Sequence, residues 1–90
     1  MSGDVIRVLL ADDHAVVRAG LKALLGSARD LQVIGEAANG RDAVNMAERL
    51  KPDVVVMDLS MPILDGVGAT KEIVAMGIGT RVLVLTMHAE

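Results

Sequence analysis

Short apolar runs alternate along this chain with stretches that are apolar on one side only. Ile6-Arg7-Val8-Leu9-Leu10-Ala11 stops abruptly at Asp12-Asp13, the pattern of a buried strand. Beyond it Val17, Leu21, Leu24 and Ala28 recur at helical spacing, with Arg18, Lys22 and Arg29 on the other side, and Gly26-Ser27 loosens the end of that helix. Leu31-Gln32-Val33-Ile34-Gly35-Glu36-Ala37 mixes apolar and polar residues, as an edge strand tends to. Asn39-Gly40 supplies a cap for a second helix with the apolar face Ala43, Val44, Ala47 and Leu50. Lys51-Pro52-Asp53 ends it, because proline cannot continue a helix. Val54-Val55-Val56-Met57 is the most hydrophobic run, predicts a central strand, and stops at Asp58. A loop with Pro62 follows, Asp65-Gly66 has the form of a helix start, and Ala69, Ile73 and Met76 give a third helical face closed by Gly77 and Gly79. Val82-Leu83-Val84-Leu85 predicts a fourth strand ending at Thr86.

The resulting order is βαβαβαβ, an α/β pattern that implies a parallel sheet with right-handed crossovers and helices on both faces. Composition agrees: apolar residues make up 52% of the chain and none is aromatic, so Val, Leu, Ile, Ala and Met must build the core. Ninety residues suffice for one small domain. With no cysteine, disulfides and thiolate metal sites are excluded. The apolar runs are far shorter than the roughly 20 residues of a membrane span, and Met1-Ser2-Gly3-Asp4 lacks the features of a signal peptide, so the expected setting is the cytoplasm. Net charge is -3, and the 9 basic residues form no run or stacking platform, so DNA binding is expected only through another domain.

In open parallel sheets ligands bind beyond the carboxyl ends of the strands, near the point where strand order reverses. Those ends carry Asp12-Asp13, Asp58 and Thr86. Three converging carboxylates repel one another unless a cation stands between them. Oxygen donors without a His or Cys cluster favour a hard cation, Mg²⁺ first. An Asp carboxylate beside such a cation can act as a nucleophile toward phosphorus. Taken alone, Asp13 fits a helix N-cap better than a ligand, Thr86 is unremarkable, His14 reads as a helix-start residue and His88 as an exposed loop residue. The three aspartates together, at the ends of two strands, outweigh the capping explanation. Gly35, Gly40 and Gly66 form no GxGxxG or P-loop pattern.

Val8-Leu9-Leu10-Ala11-Asp12-Asp13-His14, then Asp53 through Asp58-Leu59-Ser60-Met61-Pro62-Ile63-Leu64-Asp65-Gly66, then Val82-Leu83-Val84-Leu85-Thr86, resemble the receiver domain of two-component response regulators. The Asp-Asp-His start and the Leu-Thr-Met-His end resemble its NarL/FixJ-like (LuxR-type) branch, whose members carry a C-terminal DNA-binding domain. The resemblance implies a flavodoxin-like doubly wound sheet of strand order 2-1-3-4. It implies that Asp58 accepts a phosphoryl group from a sensor histidine kinase. Asp13, Asp58 and the Ser60 backbone carbonyl would hold Mg²⁺, and Asp12 would act through a water. Thr86 would contact the phosphoryl oxygen and shift on activation. Ser60 and His88 would flank the water path, and Pro62 and Gly66 would shape the loop. The domain would accept phosphoryl on its own side chain and would not turn over as an enzyme.

The family's fourth helix, fifth strand with its terminal lysine, and fifth helix have no counterpart before Glu90, and neither Lys51 nor Lys71 maps onto that lysine. Residues 1–90 are therefore expected to be a receiver domain incomplete at its C-terminus, with an exposed 80–90 segment through which the chain dimerises or oligomerises. Two other classes stay open. One is a Mg²⁺-dependent phosphatase or phosphotransferase with an aspartate nucleophile, although such enzymes usually have a second Asp where Ser60 stands. The other is a non-catalytic flavodoxin-like binding module.

Overall fold

Each apolar run forms a strand, and the first and third reach the sheet edge at a carboxylate, Asp12 just after the one and Asp58 as the last residue of the other. The computed structural model describes residues 4–85. In chain order they form β1 (Ile6–Ala11), α1 (Ala15–Gly26), β2 (Leu31–Ala37), α2 (Gly40–Leu50), β3 (Val54–Asp58), α3 (Gly66–Ala75) and β4 (Arg81–Leu85). The strands make one parallel sheet of order β2-β1-β3-β4, as the resemblance implied. Strand order reverses between β1 and β3, and Leu10 pairs with Val56 and Ala11 with Met57. This register brings Asp12 and Asp58 level at the carboxyl edge, beside the reversal point. β2 is an edge strand, and its pairing with β1 slips between Val8 and Leu9, where Leu9 lies opposite Gly35.

The alternation of side chains along β1 and β3 divides the core in two. Leu9, Ala11, Val55 and Met57 pack under Ala43, Val44 and Ala47 of α2 and Ala69 and Ile73 of α3. Val8, Leu10 and Val56 face the other way, where Leu21 and Leu25 of α1 reach them. Leu9 and Leu10 are both fully buried, one on each face, and each contributes about 1.5–3 kcal/mol of transfer free energy.

The helix boundaries follow local chemistry. Asn39 caps α2 by accepting from the Asp42 N–H, and Asp65 caps α3 by accepting from the Gly68 N–H. Helix α2 ends at Leu50, and Lys51 takes a left-handed conformation (φ 47°) before the buried Pro52. Helix α1 departs from the sequence reading. Its inward residues include Leu21 and Leu25, whereas Leu24 is exposed and Ala28 lies beyond the helix. Leu24 and Leu25 are adjacent, so helical spacing alone could not choose between them. Among the described residues no helix is long and apolar enough to cross a membrane.

Candidate functional site

The carboxyl edge of the sheet gathers three aspartates from two chain segments. Asp12 follows the last residue of β1 and is buried; its N–H donates to the Ala37 carbonyl of β2 at 3.0 Å. Its Oδ1 accepts from the His14 N–H at 2.7 Å. Asp13, the next residue, is exposed, and its Oδ1 lies 3.0 Å from the His14 ring Nδ1. The bland expectation that Asp13 caps α1 does not describe the structure: His14 holds the N-cap position, without a side-chain capping bond. Asp58 is the last residue of β3 and is buried; its Oδ1 meets the Ser60 N–H at a long 3.4 Å.

One ligating atom each from Asp12, Asp13, His14 and Asp58 can be chosen so that all lie within 4.8 Å of one another. Buried carboxylates are costly unless paired, bonded or beside a cation. Here Asp58 has one long hydrogen bond among the described residues. Three carboxylates drawn together this way are hard oxygen donors, and they fit a divalent cation such as Mg²⁺ that keeps several of its waters. A cleft of about 360 Å³, lined by His14, Val17, Asp58 and Ser60, opens beside them. Ser60 is exposed in the loop after β3. Thr86 and His88 lie outside the described residues.

The loop after Asp58 is held by close backbone packing. The Gly66 N–H donates to the Leu59 carbonyl at 2.9 Å, and a Cβ on Gly66 would run into the Asp58 carbonyl. Only glycine lets α3 begin so near the site. Between Pro62 and Leu64 the chain makes a three-residue turn, with the Leu64 N–H donating to the Pro62 carbonyl at 2.8 Å and Ile63 at φ 72°.

Sequence reading missed a group of charges behind Asp12. Helical spacing puts Arg18 on the outer side of α1, and the structure turns it inward. Its side chain is 19% exposed, and it donates to the Asp12 carbonyl at 2.6 Å and to Glu36 Oε1 of β2 at 3.1 Å. Lys22 meets Glu36 Oε2 at 3.1 Å. These two cations, Lys22 first, hold the Glu36 carboxyl below its ordinary range. A basic residue at the start of a helix that follows an acidic pair was the available signal, but its partner on β2 emerges only from the strand pairing.

The family description "Response regulator receiver domain" matches residues 8–90. The transcriptional regulatory protein LiaR of Bacillus subtilis (strain 168) is 49% identical over 82 residues, covering 91% of this chain and 39% of LiaR. The response regulator protein VraR of Staphylococcus epidermidis (strain ATCC 35984 / DSM 28319 / BCRC 17069 / CCUG 31568 / BM 3577 / RP62A) is 45% identical over 85 residues, covering 94% of this chain and 41% of VraR. The chain thus spans about 40% of the length of these curated relatives. Among solved structures, the signal receiver domain of the putative response regulator NarL from Mycobacterium tuberculosis superposes with a TM-score of 0.91. It is 32% identical, and the match covers 97% of this chain and 70% of that one.

Proposed function

This chain belongs to the response regulator receiver domain family, and from that premise we propose that Asp58 is its phosphoryl acceptor. The donor in this reading is a phosphohistidine on a sensor histidine kinase. An Asp58 carboxylate oxygen attacks phosphorus, the P–N bond breaks, the imidazole leaves and takes up a proton, and an acyl phosphate remains on Asp58. Asp13, Asp58 and the Ser60 backbone carbonyl would hold Mg²⁺, with Asp12 acting through a bound water. Bound there, Mg²⁺ supplies charge neutralisation for the phosphoryl oxygens. Thr86 contacts the phosphoryl oxygen and carries the switch. The protein accepts phosphoryl without enzymatic turnover, acts in the cytoplasm, and controls transcription through a C-terminal DNA-binding domain of the longer protein. Residues 1–90 also self-associate through the 80–90 segment.

The observation that supports this reading is the convergence of Asp12, Asp13 and Asp58 at the reversal point of the sheet. Position 60 is an exposed Ser, so the second Asp expected of an aspartate-nucleophile phosphatase is not supplied there. The test is incubation with acetyl phosphate and Mg²⁺, with the adduct located by mass spectrometry. A single phosphoryl group on Asp58, lost in Asp58→Asn, is the expected result. An adduct that persists unchanged in Asp58→Asn sinks the assignment.

A further inference from the structure

We propose that Arg18 is a positioning residue for this site, clamping the backbone from which Asp12 and Asp13 project. The inference rests on reading those aspartates and Asp58 as a cation site. Asp12-Asp13-His14 is the whole connection between β1 and α1, so the directions of both carboxylates depend on how that tripeptide bends. The strand fixes one end of it, through the Asp12 N–H on the Ala37 carbonyl. Arg18 fixes the other. Its own N–H donates to the His14 carbonyl at 2.9 Å, and its side chain reaches back over the turn so that Nη1 donates to the Asp12 carbonyl at 2.6 Å.

The guanidinium is itself held in place. Its Nε donates to Glu36 Oε1 at 3.1 Å, and Lys22 occupies the other oxygen of that carboxylate at 3.1 Å. Glu36 sits in β2 opposite Leu10, just before the Ala37 whose carbonyl holds Asp12. One strand edge therefore supports the tripeptide twice, directly and through Arg18. A guanidinium can serve two acceptors in fixed relative directions, whereas an ammonium is a point donor. Glu36 offsets one of the two positive charges that Arg18 and Lys22 bring together. Groups that orient ligands from behind are typically worth about 10–100-fold in metal affinity, and a contact acting through backbone falls at the lower end of that range.

Mn²⁺ titration of the chain, followed by the paramagnetic signal of the free ion, tests the clamp. Arg18→Met is expected to weaken Mn²⁺ binding about tenfold, and Arg18→Lys to recover part of the loss. Backbone amide spectra of the metal-free variants should change around residues 12–14 and keep the pattern of the sheet. If Arg18→Met does not fold, Arg18→Lys decides: affinity between wild type and Asp13→Asn supports the clamp, and wild-type affinity overturns it. Asp13→Asn separates the two ideas. Wild-type Mn²⁺ affinity in Asp13→Asn removes the cation site and the clamp with it. Loss of Mn²⁺ in Asp13→Asn with wild-type affinity in both Arg18 variants overturns the clamp alone. A lower metal-free melting temperature in Arg18→Met with unchanged affinity also overturns it, since Arg18 would then serve the fold and not the site.

Discussion

Ile63 occupies a left-handed conformation in the middle of the loop after Asp58, and it is 79% exposed, so no packing compensates the strain. For a β-branched residue that conformation costs on the order of 1–3 kcal/mol. Glycine would relieve the strain but would lose about 0.5–1 kcal/mol through greater freedom in the unfolded chain. The relief is the larger effect, so Ile63→Gly should stabilise the protein by about 1 kcal/mol. The urea midpoint should rise with the slope unchanged, and a fall would show that the turn is not strained. The run Pro62-Ile63-Leu64 contains no glycine, so nothing in its chemistry announces a positive φ. The aspartates were readable for the opposite reason. Each sits where an apolar run stops, and a charge at the end of a buried strand can only emerge at the sheet's edge.

Helix α1 shows where element-level reading succeeds and where it stops. Its existence and approximate span follow from periodicity, as do those of α2 and α3. Its rotation does not, because Leu24 and Leu25 compete for one inward position and packing against Val8, Leu10 and Val56 selects Leu25. The same rotation turns Arg18 inward. Arg7 escaped notice in a similar way: it lies at the start of β1 and donates to the Leu50 and Lys51 carbonyls at the end of α2, 43 and 44 residues along the chain. Such ties depend on strand register, which local patterns do not encode. The α1–β2 contact has a pH signature. Hydrogen bonds from Lys22 and Arg18 lower the Glu36 pKa in the folded state, so its contribution to stability is present above the unfolded value and is lost as protons bind. Wild type should therefore be more stable than Glu36→Gln near neutrality. The gap in melting temperature should close as pH falls below 4.5, the ordinary value for this carboxyl. A gap that is constant through that range would mean the ion pairs do not stabilise α1. Added salt should narrow the gap as well, because Lys22 is largely exposed.

At the scale of the molecule, the parallel sheet was readable because alternating βαβ units admit few topologies, whereas its order, β2-β1-β3-β4, followed only from the family resemblance. Among the described residues β4 is bonded only to β3, and its Leu83 is 55% exposed. An open parallel edge with apolar side chains is a template for a second chain. Light scattering should accordingly give a mass above the monomer that rises with concentration, and Leu83→Lys should shift the population toward monomer. A monomer mass at high concentration with an intact circular dichroism spectrum would contradict self-association. Among the described residues the two sides of the sheet are also unequally filled: α2 and α3 close over the larger cluster, while α1 is the one helix on the smaller cluster and has no fully buried residue. In deuterated solvent the amides of α1 should therefore exchange by a local opening, ahead of those of α2 and β3. Because Arg18 travels with α1, each such excursion would release the Asp12 carbonyl while the opposite layer stays closed. The lifetime of the acidic site would then be set by the residence time of one helix, and a ligand that tightens the site should slow isotope exchange along α1.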